Sequence, residues 1–285
     1  MKYSHLIALS SFLFSIAQAQ NWKVEKKEEI RQTLKFPNPA AAKAVEVDNV
    51  NGSITLVGYE GRELELVAHK IIYARTEEKA QEAREDVTLD ISTRGNSIRL
   101  YVEGPFRSKD GSVNYRGGRH SGYEVNFAFE LKVPRDTDFF LKTVNDGEIT
   151  VTEVAGEYEV ENINGGIVMN AVSGAGRVYA LNADVKVLFK NNPTAGSYFG
   201  SLNGDVEISF RPELSADLRF KTFNGEVFTD FPVTTLGSGA PSRERHKGKN
   251  VYKYDKAFKV RVAAGGPELD FDAFNGDIRV IKQGK

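Results

Sequence analysis

The run Phe199-Gly200-Ser201-Leu202-Asn203-Gly204-Asp205-Val206 is one of seven copies of a single pattern along the 285 residues, and that repetition points to the architecture. Aligning the chain on Asn51, Asn145, Asn164, Asn182, Asn203, Asn224 and Asn275 exposes the constant columns. Four residues before the asparagine stands an apolar side chain: Val47, Leu141, Val160, Val178, Phe199, Phe220 and Phe271. Two before it the residue is small or short and polar: Asn49, Thr143, Asn162, Ala180, Ser201, Thr222 and Ala273. Immediately before it the chain is again apolar, at Val50, Val144, Ile163, Leu181, Leu202, Phe223 and Phe274. Glycine follows at Gly52, Gly165, Gly204, Gly225 and Gly276; Asp146 is a one-residue insertion before Gly147, and Ala183 is the exception. A β-branched residue then closes each phrase: Ile54, Ile149, Ile167, Val185, Val206, Val227 or Ile278.

Spacing carries as much information as the phrase. From Asn145 the asparagines lie 19, 18, 21 and 21 residues apart, a period of about 20 that belongs to stacked supersecondary units. The last interval is 51 residues, with Thr234 to Lys249 read as a surface insertion, and the first is 94. Two architectures produce such a phrase. In a meander of β-hairpins, Asn-Gly fills a two-residue turn that needs positive φ. In a single-stranded β-helix or β-solenoid each copy is one coil, Asn-Gly sits at the corner, and equivalent asparagines bond along a ladder. The apolar residue directly before every asparagine favours the solenoid, in which the chain bends and turns that side chain inward. The expectation is therefore an all-β solenoid with one short surface helix, the hairpin meander being the alternative.

That helix is expected over 76–87. Thr76 caps it, Glu77 and Glu78 sit at the positive end of its dipole, and Ala80, Ala83 and Val87 form a narrow apolar stripe suited to covering an open end of the stack. Period-two spacing places strands at Leu64 to Tyr73, Val87 to Ser92, Ser97 to Val102 and Glu124 to Val133. Two insertions, near 105–122 and 234–249, are basic. The first carries Arg107, Lys109, Tyr115, Arg116, Arg119 and His120 and the second Arg243, Arg245 and Lys247, so these are the candidate binding residues for an anionic glycan.

The N-terminus bears on compartment. A short positive start, an apolar run from Leu6 to Ala17 and the small residues of Ala17-Gln18-Ala19 read as a signal peptide over 1–19. The apolar run is too short to span a bilayer, which takes roughly 20 residues, so no transmembrane segment is expected after cleavage. A lead-in over 20–44 and a β-repeat domain over 45–285 complete the expected organisation, in the periplasm or at the cell surface. Cysteine is absent and formal net charge is −1. Thiolate zinc sites and thiol nucleophiles are thereby excluded, and no global field argues for nucleic acid.

Catalytic patterns are missing as well. His69, His120 and His246 match no metal spacing, and there is no nucleophile elbow or phosphate loop. Paired carboxylates are the competing reading, since a β-helix can host a polysaccharide-degrading enzyme. Asp270 and Asp272 alternate onto one side of a strand, while Asp184, Asp205 and Asp277 recur two residues after the asparagine. Recurrence favours turn chemistry over a unique catalytic pair. No cofactor or metal is expected, and the chain reads as non-catalytic.

The phrases Val50-Asn51-Gly52-Ser53-Ile54, Ile163-Asn164-Gly165-Gly166-Ile167, Leu202-Asn203-Gly204-Asp205-Val206, Phe223-Asn224-Gly225-Glu226-Val227 and Phe274-Asn275-Gly276-Asp277-Ile278 together resemble a bacterial family named putative adhesins, over roughly Val45 to Ile281. The resemblance implies a β-helical repeat body and an envelope location, with a surface glycan or envelope protein as partner. It carries over no catalytic or ligand residue.

Overall fold

A computed structural model describes residues 22–108, 113, 122–236, 242–246, 249–253 and 257–284, with the backbone alone over 242–246 and 249–253. The expected leader lies outside these residues. The chain begins with β1 (Val24–Lys35), β2 (Lys43–Asp48), β3 (Ile54–Tyr59) and β4 (Glu63–Ala74), then α1 (Glu77–Asp86). Next come β5 (Thr88–Arg94), β6 (Ser97–Glu103), β7 (Tyr123–Pro134), β8 (Thr137–Thr143), β9 (Ile149–Thr152), β10 (Tyr158–Asn162) and β11 (Ile167–Val172). They are followed by β12 (Gly176–Ala180), β13 (Val185–Phe189), β14 (Ser197–Ser201), β15 (Val206–Phe210), β16 (Ala216–Thr222) and β17 (Val227–Thr229). The last are β18 (Val233–Leu236), β19 (Ser242–His246), β20 (Lys249–Lys253), β21 (Phe258–Val262), β22 (Glu268–Ala273) and β23 (Ile278–Lys282).

The all-β expectation holds, as two large mixed sheets with no closed barrel among the described residues. Sheet A has the order β1-β4-β7-β3-β9-β11-β13-β15-β23-β17, and sheet B the order β18-β21-β16-β22-β14-β12-β10-β8-β2-β6-β5. From β8 to β17 the chain changes sheet at every strand, crossing at each Asn-Gly phrase. Strands of this region pair with one another and with β22 and β23 in parallel, in register apart from a bulge between Asn170 and Val172, while β16 also pairs antiparallel with β21. Phe199 lies opposite Val178 and Phe271, and Val206 opposite Val185 and Ile278. Parallel strands cannot be joined by two-residue turns, so these paired strands are not consecutive hairpin partners. The columns four before and three after the asparagine are the inward ones, and their side chains from Val47 to Phe271 and from Ile54 to Ile278 make one core, Val227 packing against it half-buried.

Stacking order is not chain order. β22 pairs with both β14 and β16, and β23 with both β15 and β17, so the last phrase inserts between the fifth and sixth. The corners follow suit. Side-chain amides donate in sequence from Asn145 to Asn51 (3.0 Å), Asn164 to Asn145, Asn182 to Asn164, Asn203 to Asn182, Asn275 to Asn203 and Asn224 to Asn275 (each 2.8 Å). At the first corner Asn51 donates onward to the Val125 carbonyl. The short polar column faces inward beneath the ladder and satisfies corner carbonyls, as when Thr143 donates to Gly52 O (2.8 Å) and Ser201 to Ala183 O (2.8 Å).

One expectation about the corner is corrected. The residue before the asparagine does not turn inward throughout. Val50 and Val144 are buried, but Ile163, Leu181 and Leu202 are half-buried, and Phe223 and Phe274 are 55% and 44% exposed with rings stacked 4.9 Å apart. The bend occurs at the small inward residue, so the next side chain points along the outer rim, where apolar neighbours cover one another. The positive φ that a hairpin turn would require is absent from most repeat glycines. Only Gly52, at φ 116°, adopts it; at Gly165, Gly204, Gly225 and Gly276 a Cβ would overlap backbone of the adjacent coil.

The N-terminal strand and the long first interval together build one end of the two sheets. β1, β4 and β7 pair antiparallel at the edge of sheet A, and β5 and β6 at the edge of sheet B. The four sequence-predicted strands match β4, β5, β6 and β7 to within about two residues. α1 links β4 to β5, so it bridges the two sheets at this end, with the Thr76 hydroxyl accepting from Lys79 N and Ala80, Ala83 and Val87 in the core. Lys70 points inward from β4 and donates to the Arg84 and Val87 carbonyls at 3.1 and 2.7 Å, closing the helix C-terminus where a cation is favoured. Burial nevertheless holds its ammonium below the ordinary 10.5. Between that lowered value and 10.5 the unfolded chain binds the extra proton, so stability rises with pH across the window. Buried Tyr123 and Tyr158, held above their ordinary value, act oppositely at the alkaline limit. Subtracting the urea-denaturation profile of Lys70→Met from that of the wild type removes the tyrosine contribution. The difference is expected to rise with pH; a flat difference would contradict the assignment.

Candidate functional site

The residues five and three before each asparagine point out of sheet B, because strand side chains alternate. Across neighbouring strands the outer row five before reads Glu46, Phe140, Glu159, Arg177, Tyr198, Asp270 and Arg219. Aromatic and charged groups therefore share one face. Arg177 lies over the rings of Tyr198 (4.4 Å) and Tyr179 (5.2 Å), and the Tyr198 ring covers Gly200, the one outer position lacking a side chain. On the far side Arg99 and Arg107 lie 4.1 and 4.2 Å from the Tyr101 ring. These contacts are cation–π stacks that fix planar surfaces.

Between the two clusters lies a cleft of about 470 Å³, lined by Glu46, Val47, Asp48, Ser97, Phe140, Leu141, Lys142, Glu159 and Glu161. Its volume falls within the ~300–1,000 Å³ of small-ligand sites. Phe140 is 40% exposed and offers an apolar ring among polar groups. Glu46 pairs with Arg99 (3.0 Å), Asp48 with Arg107 (2.9 Å) and Glu161 with Arg177 (3.7 Å), so each flanking stack is tied electrostatically to the cleft wall.

Of the basic-loop candidates, the structure places Arg107 and leaves several outside the described residues. The Arg107 guanidinium is nearly buried, donating to Val102 O, Asp48 O and the Asp48 carboxylate, so it shapes the cleft wall. Lys109, Tyr115, Arg116, Arg119, His120 and Lys247 lie outside the described residues, and Arg243 and Arg245 fall on β19, known by its backbone alone. The two insertions are not rooted together. The first leaves β6 and the second runs from β18 to β21; eight strand spacings separate β6 from β21 in sheet B, about 38 Å.

The recurring carboxylates have structural duties. Asp184 accepts from Asp205 N (2.9 Å), Asp205 from Asp277 N (2.9 Å) and Asp277 from Glu226 N (3.0 Å), so each tethers the neighbouring phrase by its backbone. Arg279 bonds Asp205 and Asp277 at once, at 2.6 and 2.7 Å. Burial pushes the Asp205 carboxyl up, but Arg279 and the Asp277 amide outweigh it and hold the group below the ordinary aspartate value. A glycosidase acid needs the opposite shift. Asp270 and Asp272 do share a face, and each is ion-paired at 3.1 Å, with Arg219 and Lys221.

No family model matches the chain, and no curated protein matches it. Among solved structures it is similar to a putative cell adhesion protein from Clostridium sporogenes (11% identity, 91% of this chain and 100% of that one, TM-score 0.35). It is also similar to a putative adhesin from Bacteroides fragilis (8% identity, 90% and 97%, TM-score 0.38) and to a putative lipid binding protein from Parabacteroides distasonis (10% identity, 90% and 97%, TM-score 0.36). At these scores the functional reading rests on the geometry.

Proposed function

We propose that this chain is an exported, non-catalytic β-solenoid that binds a glycan of the cell envelope in the cleft on the outer face of sheet B. The observation that carries the reading is the cleft itself, a Phe140 ring among carboxylates and Lys142, flanked by planar Arg–Tyr stacks. Sugar rings present apolar faces and hydroxyl edges, and such a surface meets both, the rings by stacking and the edges by hydrogen bonds. The unbroken asparagine ladder and the parallel in-register strands support the solenoid, and the 1–19 leader supports export. Among the described residues no helix is long and apolar enough to cross a membrane. The basic insertions are proposed as secondary contacts.

A glycan array of envelope polysaccharides, followed by titration calorimetry on the hits, tests this. Phe140→Ala combined with Tyr198→Ala is expected to weaken binding at least tenfold, from two lost stacking contacts of about 1 kcal/mol each. Asp270→Asn with Asp272→Asn is expected to retain binding. Release of reducing ends by the wild type, abolished by that second double change in a folded protein, would instead identify a polysaccharide-degrading enzyme. Fixed co-purification with an envelope protein and no glycan affinity would replace ligand binding with scaffolding.

A further inference from the structure

We infer that Asn224-Gly225 is a site of spontaneous modification, where the asparagine side chain deamidates to isoaspartate while the other Asn-Gly pairs of the ladder are protected. The chemistry is intramolecular. The Gly225 amide nitrogen, giving up its proton to solvent base, attacks Cγ of Asn224; the Cγ–Nδ2 bond breaks and ammonia leaves with a proton from water. The five-membered imide is then opened by one water molecule at either carbonyl, leaving aspartate or isoaspartate. Glycine on the C-terminal side removes the Cβ that would otherwise shield the attacking nitrogen.

Five pairs in the ladder have this sequence, at Asn51, Asn164, Asn203, Asn224 and Asn275. Attack requires the amide to swing out of its rung and over the following nitrogen. Asn164, Asn203 and Asn275 each donate through Nδ2 and accept at Oδ1, so two hydrogen bonds break before the swing. Asn51 also makes both bonds, and the N–H of Gly52, the nitrogen that would attack, donates to Asn145 O at 2.8 Å. Asn224 is the final rung. It donates to Asn275, and its Oδ1 accepts nothing among the described residues. The strand that follows it, β17, is three residues long and closes sheet A, the kind of terminal element that opens first.

Modification also propagates. Isoaspartate at 224 replaces the Nδ2 donor with a carboxylate and lengthens the backbone by one methylene, so Asn275 Oδ1 loses its donor and Asn275 becomes the free end. The ladder then ages inward, from Asn224 to Asn275 to Asn203, an order set by stacking and not by sequence.

The test is peptide mapping by mass spectrometry of the full native chain, incubated at mildly alkaline pH, with isoaspartate read by enzymatic methylation. In the native protein Asn224 is expected to convert at least about fivefold faster than Asn164, Asn203 or Asn275, one hydrogen bond's difference. In urea the four rates converge. Asn224→Ser is expected to accelerate Asn275 in the folded protein. Equal native rates at these sites, or Asn275 outrunning Asn224 in the wild type, would overturn the inference without recourse to any variant. An unchanged Asn275 rate in folded Asn224→Ser would overturn the inward progression.

Discussion

Phe271→Ala is expected to lower stability by about 3–5 kcal/mol, the usual cost of emptying a buried phenylalanine site. Phe271 is buried on β22, its ring stacked 5.5 Å from Phe199 on one side and 5.1 Å from Phe220 on the other, with Phe210 edge-on at 6.4 Å. Because β22 separates β14 from β16, this ring links the coil before it to the coil after it. Rigid parallel strands on both flanks cannot collapse into the space. Because among the described residues β22 pairs only with β14 and β16, the damage is also expected to be local. Hydrogen exchange of β16 and β17 is expected to rise well before that of β9, and circular dichroism to change at lower urea than fluorescence of Trp22, the single tryptophan, which precedes β1 at the other end. A shift below about 1 kcal/mol, with both signals coincident, would contradict the intercalated placement of β22.

Gly276→Ala is the second large effect, expected at about 1–3 kcal/mol. Its φ is ordinary, so the cost is one of space. A Cβ there would overlap the carbonyl of Gly204 and lie 3.0 Å from Asp205 N. Neither atom belongs to a flexible side chain, and the Asn275 amide and the Asp277–Asp205 bond hold the two corners at this spacing. Gly196→Ala is the matched control, since its Cβ would meet only Glu268 O at 3.4 Å and no positive φ is involved. It should stay within about 0.5 kcal/mol of the wild type in urea denaturation. Equal effects for the two substitutions would show that the repeat glycines are not set by coil spacing.

The seven asparagines, their inward apolar columns and the helix were legible because each is written locally, the phrase in eight residues and the helix with its cap in the single stretch 76–87. Stacking order was not, since every phrase can pair with every other and nothing inside the Asn275 phrase says that it fits between Asn203 and Asn224. The outward facing of Phe223 and Phe274 was hidden by their hydrophobicity, which reads as burial unless rim residues cover one another. The cleft escaped notice because charged and aromatic residues alternating with core residues look like a solvated strand face. A signal existed all the same. Reading the columns five and three before each asparagine aligns Phe140, Arg177, Tyr179 and Tyr198 on one surface, given the parallel register that only the fold supplies. The acids at Asp184, Asp205 and Asp277 were rightly read as recurrent, though their work is tethering neighbouring coils more than shaping their own turns.

The most direct test of the account is disulfide mapping across the outer face of sheet B, in a chain with no native cysteine. Tyr198 and Asp270 are register partners, as are Asp270 and Arg219. Parallel neighbours stand about 4.8 Å apart and alternate strands about 9.6 Å, against a disulfide reach of roughly 7 Å. Oxidation is predicted to close the pairs Tyr198→Cys with Asp270→Cys and Asp270→Cys with Arg219→Cys, and to leave Tyr198→Cys with Arg219→Cys open. Efficient closure of that third pair, with the first two open, would mean that the phrases stack in chain order and that the asparagine ladder is not continuous.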